Sequence, residues 1–216
     1  MLELGRKLKI AHLVYASSSS VYGANKKVPF SEEDRTDEPV SFYGATKKAN
    51  EAMSAAYGRL YAMPATGLRF FTVYGPWGRP DMACLIFTER MLKGDAIELF
   101  NEGRMARDFT YIDNIVDSVL AAAAAPPGEA DGFHRLFNLG DDRPEELMTL
   151  VLLLEKELGV EAKKVLKGMQ KGDVERTWAD IARARDLLGY APKVSLAEGI
   201  ARTVEWRRGA LNRPLF

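Results

Sequence analysis

The chain has 216 residues, of which 30 are Lys or Arg and 30 are Asp or Glu, so its formal net charge is zero. A hydrophobic fraction of 47% with 28% charged residues is typical of a globular protein and excludes intrinsic disorder and collagen-like repeats. Because there is no overall positive field, the composition argues against nucleic acid or an anionic membrane as partner. The single cysteine, Cys84, excludes an intrachain disulfide framework and is expected to be a small buried residue.

The apolar stretches of the sequence are short. The longest covers residues 147–154, is interrupted by Thr149, and falls far below the ~20 residues that a membrane-spanning helix needs. Residues 1–10 lack the apolar core of a signal peptide. We therefore expect a cytoplasmic protein with no membrane partner.

The first third of the chain predicts two strands, each followed by a polar loop. Residues 12–17 form an apolar run that leads into four consecutive serines, and residues 66–74 form a second run that leads into a loop dense in proline and glycine. Between these strands, residues 24–42 show no periodicity and predict a surface loop. Residues 42–61 are rich in alanine and other helix formers, which predicts a long helix.

The remaining two thirds predict helices and short strands in alternation. Asp113 is predicted to cap a helix that runs to residue 125, and Ser195 with Glu198 forms a capping box for the last helix. Strands that alternate with helices favour an α/β protein with a mainly parallel sheet, whose ligands bind beyond the carboxyl ends of the strands. Further helices are predicted over 85–93, 145–158 and 180–188, and further strands over 97–100, 108–112 and 135–139.

Tyr43 and Lys47 are the first candidate pair for chemistry. They lie four residues apart on the predicted long helix, so they share a face and can meet over one ligand. A free phenol ionises near pH ~10, and a neighbouring ammonium stabilises the phenolate, so Tyr43 could act as a base near neutral pH. Taken alone, this spacing favours simple placement on a helix surface, because Y-x-x-x-K occurs often by chance.

Four motifs carry a resemblance to a known family: YASSSSVYG at 15–23, YGATK at 43–47, LRFFTVYGPWGRPDM at 68–82 and RDFTYID at 107–113. Together they resemble the extended short-chain dehydrogenase/reductases, and within that family the UDP-glucuronate 4-epimerases. The resemblance implies an α/β fold that comprises the C-terminal part of a doubly wound Rossmann-type sheet and a smaller mixed α/β lobe for the sugar nucleotide. It divides the chain into residues 1–75 and 76–216, with some later segments, including 107–125, returning to the Rossmann-type part.

The resemblance also implies a catalytic set of Ser18, Tyr43 and Lys47. Tyr43 would remove the proton from the sugar 4-hydroxyl during transient oxidation at C4 by bound NAD, and Ser18 would hydrogen-bond the reacting oxygen. Lys47 would hold the cofactor ribose and stabilise the Tyr43 phenolate. Ser17, Tyr43 and Lys47 are accordingly the expected cofactor contacts.

Comparison with related enzymes narrows the choice of reaction. The 4,6-dehydratases of this family carry an Asp-Glu pair where this chain has serines, and the decarboxylases acting on UDP-glucuronate usually place a Glu at the position of Ser20. Epimerisation therefore fits the sequence better than dehydration or decarboxylation does. A 4-keto uronic acid loses carbon dioxide readily, so an epimerase must hold the carboxylate away from the geometry for loss. The residues that match this role are Ser19, Ser20, Thr72 and Arg79.

Three further residues match contacts to the nucleotide. Arg107 is expected to meet the UDP diphosphate, Phe100 to pack on uracil and Asp173 to contact the ribose, although core packing explains Phe100 equally well. No metal site is predicted. The sequence leaves open a UDP-glucose/UDP-galactose 4-epimerase, because such enzymes share the catalytic set.

The glycine-rich G-x-x-G-x-x-G turn that holds the NAD pyrophosphate in this family does not occur in the sequence. We therefore expect a truncated chain that is inactive alone, with a partner chain supplying the NAD-binding half, or else a non-catalytic module that binds UDP-sugars. In relatives the helix that begins near Tyr43 lies in a dimer interface, so a homodimer is expected in either case.

Overall fold

The structure is a computed structural model that describes residues 1–170 and 173–210. These residues form seven α-helices, eight strands and three short 3-10 turns. The helices are α1 (Leu2–Leu8), α2 (Phe42–Tyr61), α3 (Ala83–Lys93), α4 (Ile112–Ala124), α5 (Leu147–Leu158), α6 (Ala182–Leu188) and α7 (Leu196–Ala210). The strands are β1 (Leu13–Ser18), β2 (Ala65–Phe70), β3 (Thr72–Tyr74), β4 (Ile97–Leu99), β5 (Ala106–Tyr111), β6 (His134–Leu139), β7 (Pro144–Glu146) and β8 (Lys164–Leu166).

The first sheet is parallel throughout, with strand order β1-β2-β6. Its register aligns Ser18 with Phe70 and Phe70 with Leu139, so all three strands end at the same edge. This confirms the expected α/β class. The polar loops that follow β1 and β2 are thereby brought together at the edge where parallel sheets bind their ligands.

The second sheet has the order β3-β5-β7, in which β3 and β5 are parallel and β7 is antiparallel to β5. The chain passes from the first sheet to the second at Phe71, which separates β2 from β3. The apolar run predicted as one strand over 66–74 is therefore two strands in two sheets. A third pair joins β4 to β8.

The hydrophobic core consists of two clusters. One lies around the first sheet and includes Leu68, Phe137 and Leu139. The other lies around the second sheet and the β4-β8 pair and includes Leu99, Phe109, Leu150, Leu154 and Ile200.

The later segments divide between these clusters. Ile115 of α4 and Ala184 of α6 are buried in the first cluster, whereas Tyr111 of β5 is buried in the second. The division of the chain between residues 75 and 76 stays a prediction.

Four predicted helix starts are wrong. Two of them, in the helices predicted over 85–93 and 180–188, miss by two residues. The helix predicted to be capped by Asp113 has its N-cap two residues earlier, at Tyr111, and Asp113 lies in its first turn. The helix predicted from Glu145 begins at Leu147, because residues 144–146 are extended and pair with β5. The α2 boundaries are confirmed at both ends.

Ser195 accepts a hydrogen bond at 3.3 Å from the backbone N–H of Glu198, which is one half of the predicted capping box. The Glu198 carboxylate instead accepts a hydrogen bond from Arg202 at 2.6 Å. Over residues 1–170 and 173–210, no helix is both long enough and apolar enough to cross a membrane.

Candidate active site

A cleft of about 560 Å³ opens where the loops after β1 and β2 meet, beside the start of α2. A neighbouring cavity of about 470 Å³ shares Thr72, Arg107 and Asp173 with it and is also lined by Phe100. The structure therefore gathers most of the residues predicted from the sequence around one connected region. Those that line the larger cleft are Ser17, Ser18, Ser19, Ser20, Tyr43, Thr72, Arg79, Arg107 and Asp173.

The serine run forms a tight turn at the end of β1. Ser18 caps a 3-10 turn over Ser19–Tyr22, and its hydroxyl accepts a hydrogen bond from the backbone N–H of Ser20 at 3.2 Å. The same hydroxyl donates to Oγ of Ser20 at 3.1 Å. Ser18 is nearly buried, so its hydroxyl is held by the turn at the wall of the cleft.

Tyr43 and Lys47 lie on the first two turns of α2. Tyr43 is 48% exposed and faces the cleft, and the Lys47 ammonium lies 5.6 Å from the centre of its ring. Nζ of Lys47 also donates to the backbone carbonyl of Ala16 on β1 at 3.0 Å. In the described part of the chain, Lys47 does not line either cavity. Its ammonium therefore lies behind the Tyr43 ring and not in the open cleft.

Gly44 explains why α2 can lie so close to the serine turn. A Cβ atom at this position would come within 2.5 Å of the backbone carbonyl oxygen of Ser20, which no real side chain does. The helix start is fixed by Ser41, whose hydroxyl accepts a hydrogen bond from the Gly44 N–H at 3.0 Å. The glycine in YGATK therefore places Tyr43 against the serine turn.

A buried ion pair below the cleft was missed by the sequence analysis. Arg69 of β2 donates from Nε and Nη2 to the two carboxylate oxygens of Glu51 on α2, each at 2.8 Å. The Ser17 hydroxyl donates to the same carboxylate at 2.6 Å. The available signals were a charged residue within an apolar strand, which requires a buried partner, and Glu51 one turn after Lys47.

The network continues from Arg69 to the end of the serine turn. Nη1 of Arg69 donates to the Tyr22 hydroxyl at 3.0 Å, and that hydroxyl donates to Oδ1 of Asn138 on β6 at 2.6 Å. Burial raises the pKa of Tyr22, so its phenol stays neutral and acts as a hydrogen-bond donor. The turn and all three strands of the first sheet are thus joined by buried polar contacts.

Arg79 lies in the loop after β3 and is paired with Asp81. Its Nε and Nη2 atoms donate to the two oxygens of the Asp81 carboxylate, at 3.0 and 2.5 Å. This hydrogen-bonded pairing raises the pKa of Arg79 and lowers that of Asp81. The fork predicted to grip a sugar carboxylate thus holds a carboxylate of the chain itself.

Arg107 and Asp173 contact each other across the cleft, with Nη2 of Arg107 donating to Oδ1 of Asp173 at 2.6 Å. Burial lowers the pKa of Arg107, and the Asp173 charge opposes this effect. Phe100 is partly buried against the second core cluster and also lines the smaller cavity, so its packing on uracil stays a prediction.

The profile of the NAD dependent epimerase/dehydratase family matches residues 1–140. The chain belongs to this family. A probable UDP-glucuronate 4-epimerase of Rhizobium meliloti is 46% identical over 220 residues, which cover 95% of this chain and 64% of that protein. Among three of the curated relatives, the matched part covers 62–66% of the relative's own length.

Solved structures of the same family superpose closely. The UDP-glucuronic acid 4-epimerase of Bacillus cereus, in complex with UDP-glucuronic acid and NAD, has a TM-score of 0.88 at 34% identity and matches 96% of this chain and 65% of that chain. The UDP-glucose 4-epimerase of Thermotoga maritima with UDP-glucose has a TM-score of 0.87 at 34% identity, over 97% of this chain and 67% of that chain. The two neighbours act on sugars that differ in charge.

The residues of this family member fit one part of NAD. The phenol of Tyr43 lines the cleft at the carboxyl edge of a parallel sheet, the ammonium of Lys47 lies 5.6 Å from the centre of its ring, and both groups can hydrogen-bond ribose hydroxyls. The sequence holds no G-x-x-G-x-x-G turn for the pyrophosphate. Tyr43 and Lys47 would therefore hold a ribose of the cofactor.

Proposed function

We propose that this chain carries the base and the sugar-nucleotide site of a NAD-dependent 4-epimerase that interconverts UDP-glucuronate and UDP-galacturonate. One observation carries the proposal: Tyr43, the serine turn and Arg79 line the same cleft at the carboxyl edge of the first sheet. A base, a hydroxyl for the reacting oxygen and a fork for a carboxylate are the groups that this reaction needs from the protein.

Bound NAD supplies reversible oxidation at the sugar C4. Tyr43 takes the proton from the 4-hydroxyl oxygen and returns it after the sugar has turned over, and Lys47 stabilises the phenolate from 5.6 Å behind the ring. The Ser18 hydroxyl gives up its bond to Ser20 and donates to the reacting oxygen. No net redox change results.

The remaining residues of the cleft hold the substrate. Arg107 binds the diphosphate from a site that also contains Asp173, and the ring of Phe100 packs on uracil in the smaller cavity. Arg79 holds the uronate carboxylate with Thr72, Ser19 and Ser20. A fixed carboxylate is kept out of the alignment with the C4 carbonyl that loss of carbon dioxide requires.

Epimerisation of UDP-glucose and UDP-galactose is the second candidate. The Thermotoga maritima neighbour with UDP-glucose matches this chain at the same identity as the Bacillus cereus enzyme. The two candidates differ in whether Arg79 contacts a charged or a neutral group at C6. A third candidate is a non-catalytic module that binds UDP-sugars.

The test measures UDP-galacturonate formed from UDP-glucuronate and NAD by anion-exchange chromatography. One arm uses this chain, and the other uses a chimera in which the unmatched part of the Rhizobium meliloti relative is fused to it. We expect product from the chimera and none from the chain. Binding of UDP-glucuronate without product in either arm would identify a binding module, and faster conversion of UDP-glucose would identify the neutral-sugar enzyme.

The proposal places the protein in the cytoplasm as a homodimer. Phe42, Met53 and Leu60 of α2 are exposed and fall on one stripe of the helix, because they are separated by 11 and 7 residues. Sedimentation of the wild-type chain and of a Met53→Glu/Leu60→Glu variant tests whether this stripe forms the dimer interface. A monomeric wild-type chain would contradict it.

A further inference from the structure

The pairing of Arg79 with Asp81 occupies the donors that a sugar carboxylate would need. Nε and Nη2 of a guanidinium form the side-on fork, and both of them bind Asp81. The Asp81 carboxylate also neutralises the charge that would attract a uronate. The described structure therefore shows the proposed carboxylate site engaged by an internal carboxylate.

The pair lies in the proposed sugar site rather than on a remote surface. Arg79 lines the larger cleft, Asp81 lines the smaller cavity, and Met82, the next residue, lines both. Arg79 shares the lining of the larger cleft with Tyr43. Any carboxylate that reaches Arg79 from the cleft thus meets Asp81 as well.

The pairing is easily exchanged. The Arg79 and Asp81 side chains are 67% and 63% exposed, and exposed pairs of this kind contribute little because water competes for both partners. A ligand carboxylate tethered to a bound nucleotide has a high effective concentration beside Arg79 and can replace an untethered partner.

We propose that Asp81 is a specificity-determining residue: its carboxylate holds the Arg79 fork in the free chain and is exchanged for the carboxylate of the bound sugar. The inference rests on the proposed function, since it concerns the same sugar site. Asp81 lowers the affinity for a uronate and leaves that for a neutral sugar unchanged. It thereby sets how strongly the site prefers UDP-glucuronate over UDP-glucose.

Dissociation constants of UDP, UDP-glucose and UDP-glucuronate, measured by ligand-observed NMR on the full chain, test this inference. The variant is Asp81→Asn, which removes the charge and keeps the size. The matched control is Asp37→Asn, because Asp37 is also exposed and also pairs with an arginine two residues away, Arg35, at 3.3 Å. Asp37 lies outside both cavities that form the proposed site, within the described part of the chain.

We expect Asp81→Asn to bind UDP-glucuronate about two- to fivefold more tightly, which is the range that an exposed ion pair of this kind can contribute. UDP and UDP-glucose should bind as to the wild type, and Asp37→Asn should change none of the three constants. Unchanged or weaker binding of UDP-glucuronate, with UDP unaffected, would overturn the role of Asp81 alone. Failure of UDP itself to bind the wild-type chain would overturn the proposed function and this inference together.

Discussion

Glu51 of α2 and Arg69 of β2 form a two-pronged ion pair, with both hydrogen bonds at 2.8 Å and side chains 3% and 2% exposed. Glu51 lies one turn after Lys47 on the helix that also carries Tyr43. The pair therefore ties the helix of the proposed base to the sheet, and the Ser17 hydroxyl joins the same carboxylate from β1. Removing either charge should therefore destabilise the whole site.

Replacing Arg69 with Met should lower the free energy of unfolding by about 3–5 kcal/mol, because the Glu51 carboxylate is left buried without its counter-charge. The double variant Glu51→Leu/Arg69→Met should recover much of this loss. Urea denaturation measures the free energy of unfolding of the single and the double variant. Arg35→Met, at an exposed ion pair, is the control and should change stability by less than about 0.5 kcal/mol. An Arg69→Met effect as small as the control would show that the pair contributes little.

Gly44→Ala should destabilise the chain by about 1–3 kcal/mol, although alanine normally favours a helix, because the new Cβ would meet the Ser20 carbonyl oxygen at 2.5 Å. Gly209→Ala in α7 is the matched control, since a Cβ there meets no atom of the described residues within 4 Å. It should be neutral or slightly stabilising. Thermal unfolding of the two variants distinguishes the effects, and equal melting temperatures would contradict the close approach of α2 to the serine turn.

Tyr43→Phe should reduce epimerisation by the active chimera about 10²–10⁴-fold, because the proposed base is lost while the ring is kept. Tyr61→Phe is the matched control: Tyr61 lies at the other end of α2 and is also 48% exposed. Product formation under saturating substrate is the measurement. If Tyr43→Phe kept the activity of Tyr61→Phe, Tyr43 would not be the base.

Arg79→Ala should weaken the binding of UDP-glucuronate about tenfold or more and leave UDP-glucose nearly unchanged, since charge-assisted hydrogen bonds contribute about 1.5–3 kcal/mol. The constants come from the same NMR titrations as those for Asp81. Arg104→Ala, at an exposed pair with Glu102 outside both cavities within the described residues, serves as control. Equal losses for the charged and the neutral sugar would remove Arg79 from contact with the carboxylate.

The pH dependence of stability should reflect two buried carboxyl groups. Burial raises the pKa of Asp108 and of Asp141 from 3.8 to about 6. The folded state therefore binds more protons than the unfolded state between pH ~4 and ~6, so these groups favour folding at low pH and lose this contribution as the pH rises through about 6.

We expect the free energy of unfolding to fall by on the order of 1–3 kcal/mol between pH 5 and 7.5. Asp141→Asn should flatten this slope, and Asp37→Asn should not. Urea denaturation over this pH range measures it, and an Asp141→Asn variant that kept the pH dependence of the wild type would contradict the assignment.

The elements that could be predicted from the sequence are those with strong local signals. The α2 boundaries were correct because the helix formers are continuous and Ser41 provides the cap. The break at Phe71 was not predictable, because the apolar run has no change of pattern there. The short strand β8 was missed for a similar reason: it pairs with β4, from which it is separated by more than sixty residues, and its three residues show no periodicity of their own.

The candidate site was predictable as a set of residues but not as a set of contacts. The motifs indicated Tyr43 and Arg79, and the structure places both on one cleft. A charged residue in an apolar strand indicates that Arg69 has a buried partner, but the sequence does not single out Glu51, since α2 and β2 meet only in the folded chain. The engagement of Arg79 by Asp81 depends on loop conformation, which no periodic pattern specifies.

Phe71 is the single residue by which the chain leaves the first sheet and enters the second. On one side of it Arg69 must stay in register with Ser17, and on the other Thr72 must stay opposite Phe109. Side chains alternate between the two faces along a strand. Adding or removing one residue between Arg69 and Thr72 would therefore turn the side chains of β2 or of β3 to the wrong face of its sheet. The number of residues in this stretch is thus as constrained as their identity, and the loop after Tyr74 is the nearest place where insertions can change the sugar site without moving the base.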